Sequence, residues 1–479
     1  MPRSPAIFPA AIAPTLLAGL IVAVSPPAVA VQGPSRSISS LQKLCRPVRD
    51  GVAVDLRGIR FAHGQARDPR QDVAEVEVRQ SIVLTPQGQF LLRTSSLYDR
   101  GLEFRLRTMG LPEGEKTIDE IGWRYGNALL SDNATASARD YADLTLLAPA
   151  FLACKAGEGL DDGSGRMRIV DAAGRTISLH LAGETGDIAE ASLDGVVYRY
   201  QDWRTVRGGR QPGQITVSRN GTIEVRWTAV AARPKHAADD RLMVVPPGYA
   251  PSPDPGPLRA VSLGGGAFTT EGGATGYHTG FVVGDRTIAV FDAPISPEAA
   301  KAVRALIEHT APGKPIAYLV ASHVHGDHVA GLTAYADAEI ITGPGGWLAV
   351  SRNLGTAAPS RHREIMAAAV LDLGGRSLRL YPFDSVHSKT MIVAFAPESG
   401  SIFQGDLFYR PERMPTLPIF ETGAELHSVI VKEGLDVKAI VGVHGGLATM
   451  QDLHEALALR PGHNDRGCIG FALTSAAHC

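Results

Sequence analysis

Four metal-binding side chains fall within six residues of this chain, His323-Val-His325-Gly-Asp327-His328, directly after the apolar run Ile316-Ala-Tyr-Leu-Val-Ala. The run reads as a buried strand, so the donors begin where a rigid element ends and sit on the loop that it carries. His323 and His325 are close enough in sequence to reach one ion together. Asp327 and His328 follow the compact Gly326, which is expected to let the backbone turn and present them to a second ion. Imidazole and carboxylate suit zinc at about 2.0–2.2 Å, and a catalytic zinc site keeps one position open for water. A lone histidine in a globular chain is more often structural, but three with an aspartate at this spacing describe a dinuclear centre and point to metal-assisted hydrolysis.

Further donors recur at the ends of later apolar runs: His387 before Met391-Ile-Val-Ala-Phe, Asp406 after Ile402-Phe-Gln, and His444 after Ile440-Val-Gly. Upstream, the run beginning Phe281-Val-Val and ending Ile288-Ala-Val-Phe closes on Asp292. In this order the motifs resemble those of the metallo-β-lactamase superfamily, over roughly residues 258 to 460. The resemblance implies a four-layer αββα sandwich with two Zn2+ ions per chain. One ion would be held by His323, His325 and His387, the other by Asp327, His328 and His444, with Asp406 bridging both. Asp292 would organise the loops near the metals rather than bind one.

A metal-bridging hydroxide would then cleave an ester, thioester, lactone, amide or phosphoester bond of a small molecule, with Asp327 orienting the nucleophile and shuttling a proton. The histidine at 325 speaks against the di-iron, oxygen-reducing branch of the superfamily, which has glutamate there. The acid at 406 speaks against the antibiotic-cleaving members, which usually have cysteine or serine. Lys389 replaces the small or acidic residue of many relatives; it either reaches into the cleft to hold a substrate carboxylate or phosphate, or is a solvated surface lysine. Tyr277 and His278, in a glycine-rich stretch, either lie over the metals or belong to a flexible loop. Two other functions compete with the hydrolase. One is a mononuclear iron persulfide dioxygenase, which shares the motif but uses a single ion. The other is a non-catalytic periplasmic protein that binds lipid or peptide in its N-terminal region.

Residues 1–30 carry no charge after Arg3, have an apolar core at Leu16-Leu-Ala-Gly-Leu-Ile-Val-Ala-Val, and end on Ala28-Val-Ala30. They read as a signal peptide cleaved after Ala30, which places the mature chain in the periplasm or outside the cell with no membrane-spanning segment. Four cysteines, Cys45, Cys154, Cys468 and Cys479, allow three pairings; chain order suggests Cys45 with Cys154 and Cys468 with Cys479, and all four could equally stay unpaired. A net charge of −2 without a long basic run excludes nucleic acid as the main partner.

A chain of 479 residues that is 44% hydrophobic has material for two or three cores. The division expected is a β-rich domain over 31–245, a proline-rich linker over 246–257 that stays extended and joins no sheet, the catalytic domain over 258–460 and a tail over 461–479. In the β-rich region, Asn220-Gly221 marks a two-residue hairpin and 140–153 a helix. Val197-Tyr-Arg-Tyr-Gln-Asp-Trp resembles the curved antiparallel sheets of periplasmic lipoprotein-carrier-like domains. Tyr198, Tyr200 and Trp203 there either line a concave apolar face or are packed sheet aromatics. The region thus either receives an envelope component or only supports the catalytic domain. From Ser296-Pro297 onward the rhythm becomes strand and helix in alternation, an α/β pattern.

Overall fold

The computed structural model describes residues 36–459 except 98–102, 121–127, 159, 162–164, 172, 184, 207–208, 252–253, 274, 411–415, 417–418 and 420. Residues 1–30, expected to be a signal peptide, together with Cys468, Cys479 and the tail, lie outside the described residues. Among those described, no helix is long and apolar enough to cross a membrane.

The N-terminal region is built on a fourteen-stranded sheet whose neighbours are antiparallel except at one edge. Its middle is the hairpin of β1 (Val52–His63) and β2 (Val73–Leu84), in unbroken register from Val52 opposite Leu84 to His63 opposite Val73. Alternation decides the faces. Val52, Val54 and Leu56 point into a core closed by Leu41, Leu44, Tyr141, Leu144 and Phe151 from the helical segments, while Ala53, Val83, Leu91 and Met109 pack on the opposite side. The expected hairpin at Asn220-Gly221 is present, with φ of 50° and 83° at the two turn residues. The expected helix is two shorter ones, Ala138–Thr145 and Pro149–Leu152, the first capped by Ser137 accepting from Asp140 N at 3.0 Å.

These helices occupy the face on which an open apolar trough was one reading. Tyr200 is buried and donates to Leu146 O at 2.7 Å, Trp203 Nε1 donates to Ile188 O at 3.0 Å, and Tyr198 packs on the same core. The aromatics are packed sheet residues, with the polar ends of Tyr200 and Trp203 satisfied by backbone carbonyls. Cys45 and Cys154 form a disulfide that joins the helix Arg36–Cys45 to this packing. The proline-rich stretch departs from expectation. Ala250–Pro251 pairs parallel with Ala128–Leu129 as an edge strand, and Met243, Val245 and Tyr249 pack on the second face of the sheet. Proline is tolerated there because an edge strand leaves one side of its backbone unpaired.

From Arg259 the chain forms two further sheets. The first has seven strands, Arg259–Gly264, Ala267–Glu271, Gly280–Val283, Ile288–Phe291, Ile316–Val320, Glu339–Thr342 and His362–Glu364 in sequential order. The second has five, Ala369–Asp372, Ser377–Phe383, Met391–Ala396, Ser401–Gln404 and Ala439–Gly442, also sequential. Val282, Phe291, Val320 and Ile341 of one meet Leu380, Ile392, Phe403 and Val441 of the other in a dry layer. The outer face of the first sheet is covered by Pro297–Thr310, capped by Ser296, and that of the second by Glu421–Lys432 and Met450–Ala458. The result is the four-layer αββα sandwich, preceded by a mainly antiparallel β region.

The Cys45–Cys154 bond closes a loop of 109 residues, for which the chain-entropy model gives about 4–5 kcal/mol and measured losses run from about 2 to 5. Replacing both cysteines by serine is expected to lower stability by about 2–4 kcal/mol. Urea unfolding followed by tryptophan fluorescence measures this, and an unchanged midpoint would show that the bond contributes nothing.

Candidate metal centre

The site lies where strand ends from both sheets converge. Ile288–Phe291 and Ile316–Val320 run parallel, as do Ser401–Gln404 and Ala439–Gly442, so Asp292, the 323–328 loop, Asp406 and His444 all follow C-terminal strand ends. His387 comes from the connection between Ser377–Phe383 and Met391–Ala396. The fold brings these residues into two groups, His323 with His325 and His387, and Asp327 with His328, Asp406 and His444, each with its donor atoms within 4.8 Å of one another.

Asp406 stands between the groups. Its Oδ2 is 3.4 Å from His387 Nε2 and 3.9 Å from His323 Nε2, while Oδ1 is 3.0 Å from His328 Nε2 and 3.5 Å from His444 Nε2. Asp327 Oδ2 joins the second group, 3.7 Å from His328 Nε2 and 3.5 Å from His444 Nε2. Gly405 makes the approach feasible: a Cβ there would lie 2.5 Å from Ser322 Oγ and 2.9 Å from His323 Nδ1. Gly326, by contrast, has no positive φ and open space around it. The turn attributed to it is made by the short helix Gly326–Val329, which any small residue could start.

Asp292 works behind this set. It is fully buried at φ 64°, a left-handed conformation that aspartate tolerates better than most residues. Its Oδ1 accepts from Ser322 N at 2.6 Å, and its Oδ2 accepts from Ser322 Oγ at 2.6 Å and faces His328 Nδ1 at 2.9 Å. A carboxylate partner keeps a proton on His328 Nδ1, so Nε2, which faces Asp406, is the nitrogen that a cation would take. Ser322 Oγ, its hydrogen given to Asp292, accepts from His323 Nδ1 at 3.0 Å and likewise frees Nε2. One buried carboxylate thereby sets two histidine tautomers.

The donors fit cations better than they fit each other. His325 Nδ1, His328 Nε2 and Asp406 Oδ1 are buried without a hydrogen-bond partner, although the last two are only 3.0 Å apart. Such orphaned buried polar atoms are costly, and a cation taking His325 Nδ1, Asp406 Oδ1 and, in place of its proton, His328 Nε2 would satisfy all three. Burial, with neighbouring imidazoles, pushes His323 well below its ordinary pKa and His325 down to about 3, so both present neutral nitrogens. Burial resists ionisation of Asp406 and Asp327, but His328 and His444 outweigh it and hold both carboxyls well below the usual range. Burial also resists charging His328, and Asp406, Asp327 and Asp292 overcome it and raise its pKa, so Nε2 carries a proton that an incoming cation would displace. The floor of the site is dry, with His323 and His328 inaccessible, whereas Asp327, His387 and His444 remain 21–26% exposed. The site is therefore open to solvent on the side of those three.

The other residues singled out in the sequence are also placed. Tyr277 is nearly buried and sets its ring edge-on to His444, centroids 4.6 Å apart. His278 faces Thr270 O with Nδ1 at 2.7 Å and donates its backbone N–H to Val443 O. Lys389, its side chain 35% exposed, does not stand free in solvent. Its Nζ pairs with Asp68 of the N-terminal region at 2.8 Å, since the 64–72 segment comes within reach of it. Sequence reasoning missed four contributors. Ser322 adjoins the motif and could have been noticed as a polar residue at a buried strand end. Glu425 holds the His387 loop by accepting from Ser385 Oγ at 2.6 Å and Val386 N at 3.0 Å, and no local signal marks it. Gln65 and Ala66 come from the other half of the chain.

Residues 272–444 match the family model described as the metallo-beta-lactamase superfamily. Solved structures similar to this chain include a flavodiiron protein from Giardia intestinalis, 16% identical over 43% of this chain and 59% of that one, TM-score 0.35. They also include a stereoselective inverting sec-alkylsulfatase from Pseudomonas sp., 15% identical over 42% and 40%, TM-score 0.34. A metallo-beta-lactamase from Pontibacter korlensis is 16% identical over 42% of this chain and 98% of its own, TM-score 0.35. The chain thus spans well under two thirds of the flavodiiron protein and of the sulfatase. No curated protein matches it in sequence.

Asp292→Asn keeps the backbone conformation but offers His328 a neutral partner. Zinc affinity is expected to fall about 10–100-fold with the fold retained, as read by competition with a chromophoric chelator; an unchanged affinity would remove Asp292 from the centre.

Proposed function

We propose that this chain, whose residues 272–444 belong to the metallo-beta-lactamase superfamily, is an exported dinuclear zinc hydrolase of a small molecule with an ester, thioester, lactone, amide or phosphoester bond. The observation that carries the reading is the split of Asp406, one oxygen toward His323 and His387 and the other toward His328 and His444. His323, His325 and His387 would hold one ion, Asp327, His328 and His444 the second, with Asp406 shared. Divalent ions held by these residues would lower the pKa of a bound water from about 15.7 to near 7 and so would supply a nucleophile at neutral pH without a strong side-chain base.

The chain's own contribution is to hold and to move a proton. His323 and His328 are fixed from behind by Ser322 and Asp292, so the donor atoms need no rearrangement during turnover. Asp327 stands at the exposed rim beside His444 and is the carboxylate that orients the attacking water and passes a proton to the leaving group. Tyr277 against His444 limits where that ring can lie. Three features favour this reading over its rivals. His325 stands where oxygen-reducing di-iron relatives have glutamate, the second donor group is complete as a single-ion dioxygenase does not require, and a vestigial domain would be expected to have lost ligands. Export is supported by the apolar N-terminal segment and by the Cys45–Cys154 disulfide, a bond that persists in oxidising compartments.

The mature protein purified without added metal is expected to carry close to two zinc ions per chain by elemental analysis, and a single iron would overturn the reading in favour of the dioxygenase. Against ester, thioester, lactone and phosphodiester panels, Asp327→Ala is expected to lower kcat roughly 10²–10⁴-fold while far-UV circular dichroism is unchanged. Full activity in that variant would sink the proposed role of Asp327.

A further inference from the structure

The connection between β1 and β2, residues 64–72, leaves the N-terminal sheet and lies on the donor loops of the αββα domain. Its contacts run in order along the segment. Gly326 N donates to Gly64 O at 3.0 Å, and Gln65 Nε2 donates to Asp327 Oδ1 at 2.9 Å. His325 Nε2 lies 3.3 Å from Ala66 O. Arg67 Nε donates to Ser385 O at 2.9 Å, and Lys389 N donates to Arg67 O at 3.0 Å. The Lys389–Asp68 pair and a hydrogen bond from Arg352 to Pro69 O complete the series. The segment therefore grips both the 323–328 loop and the loop that carries His387.

Two of these contacts act on donor atoms. A carbonyl oxygen can only accept, so Ala66 O places the His325 proton on Nε2 and leaves Nδ1 as a bare lone pair. That Nδ1 is one of the buried atoms without a partner. Ala66 and His325 are 6% and 3% exposed, so little water competes for the bond. His323 and His328 have their tautomers set inside their own domain by Ser322 and Asp292, whereas His325 takes its tautomer from the other region. Gln65 does the equivalent for a carboxylate: by occupying Asp327 Oδ1 it keeps Oδ2 turned toward His328 and His444. An ordinary interface would show ion pairs and apolar contact, and exposed ion pairs contribute little. It would not place an acceptor on one donor residue and a hydrogen-bond donor on another, one from each group.

We infer that residues 64–72 are a clamp through which the N-terminal region completes the metal centre. Ala66 O fixes His325 for the first ion, Gln65 is a positioning residue that fixes Asp327 for the second, and Arg67 with the Asp68–Lys389 pair holds the segment in place. The inference rests on the reading of the site as a metal centre and not on which bond is cleaved.

The test uses the full chain and reads metal binding. Zn2+ and Co2+ are titrated, with chelator competition and cobalt absorption spectra, into the unaltered protein, Gln65→Ala, Gln65→Glu and a variant with residues 65–70 replaced by glycine and serine at equal length. Gln65→Ala is expected to weaken the ion held with Asp327 by about 10–100-fold and to shift its cobalt bands, leaving the other ion within about twofold. Gln65→Glu keeps the shape but sets a like charge against Asp327, so it should lose more than alanine does, an order that simple packing would reverse. The loop replacement should weaken both ions. Two ions at unaltered affinity with an unaltered cobalt spectrum in the loop replacement would overturn the clamp. Because hydrolysis is not read, a chain that binds two ions through this clamp yet cleaves no ester removes the proposed reaction alone. Tight binding indifferent to the loop removes the clamp alone.

Discussion

The site depends on one carboxylate placed between imidazoles from two sheets. Asp406 follows a strand of the second sheet, His323 and His328 follow a strand of the first, and the separation of its two oxygens sets the separation of the donor groups. That arrangement holds only if the sheets keep a fixed distance, which the packed layer containing Phe291, Val320, Ile392 and Phe403 enforces. It also requires the Asp406 loop to pass close to Ser322, and glycine at 405 is what makes room. The inner layers of the sandwich thus act as a spacer for a charge distribution that would repel itself or stay unsatisfied at any other distance.

The half that carries the candidate metal centre was legible because its signals are local. Each donor sits at the end of an apolar run, and strand ends in a layered α/β fold converge along one edge, so sequence order alone orders the site. The helix at Ser296-Pro297 and the hairpin at Asn220-Gly221 were equally plain, since capping and positive φ are properties of two or three adjacent residues. The same reasoning misassigned Gly326, where a short helix rather than glycine makes the turn. It also misplaced the proline-rich stretch, whose parallel edge pairing depends on a distant partner strand. What stayed hidden was long-range. Gln65 meets Asp327 across 262 positions, and Glu425 reaches Ser385 across 40. Neither has a periodicity or a neighbouring motif, because a polar residue on a loop takes its meaning only from what the fold brings beside it.

Lys389 shows how that limit misleads. Read alone, a lysine two residues beyond a candidate ligand suggests either a substrate anchor or a solvated charge. The fold gives it a third role, because the 64–72 segment brings Asp68 against it. Its charge is directed at Asp68, a carboxylate that it shares with Arg70, so the lysine holds the 64–72 segment and its position gives no independent argument for an anionic substrate. The exposed sides of His387, His444 and Asp327 consequently carry more information about what enters than the basic residue nearest the motif.

Contacts from the N-terminal region to donor residues also have a thermodynamic consequence. If Ala66 O and Gln65 favour the conformations of His325 and Asp327 that receive ions, then ions must favour the docked arrangement of residues 64–72 by the same free energy. Ion binding adds a stabilisation that grows with the logarithm of free metal above its dissociation constant. Part of that stabilisation appears at the interface between the two halves rather than within the αββα sandwich. The large sheet would then be coupled to the candidate metal centre through its β1–β2 connection, whose movement would change the donor atoms offered to both ions. A centre assembled in this way is sensitive to the docking of its neighbour, and the free energy that holds the two halves together also sets how tightly the metals are held.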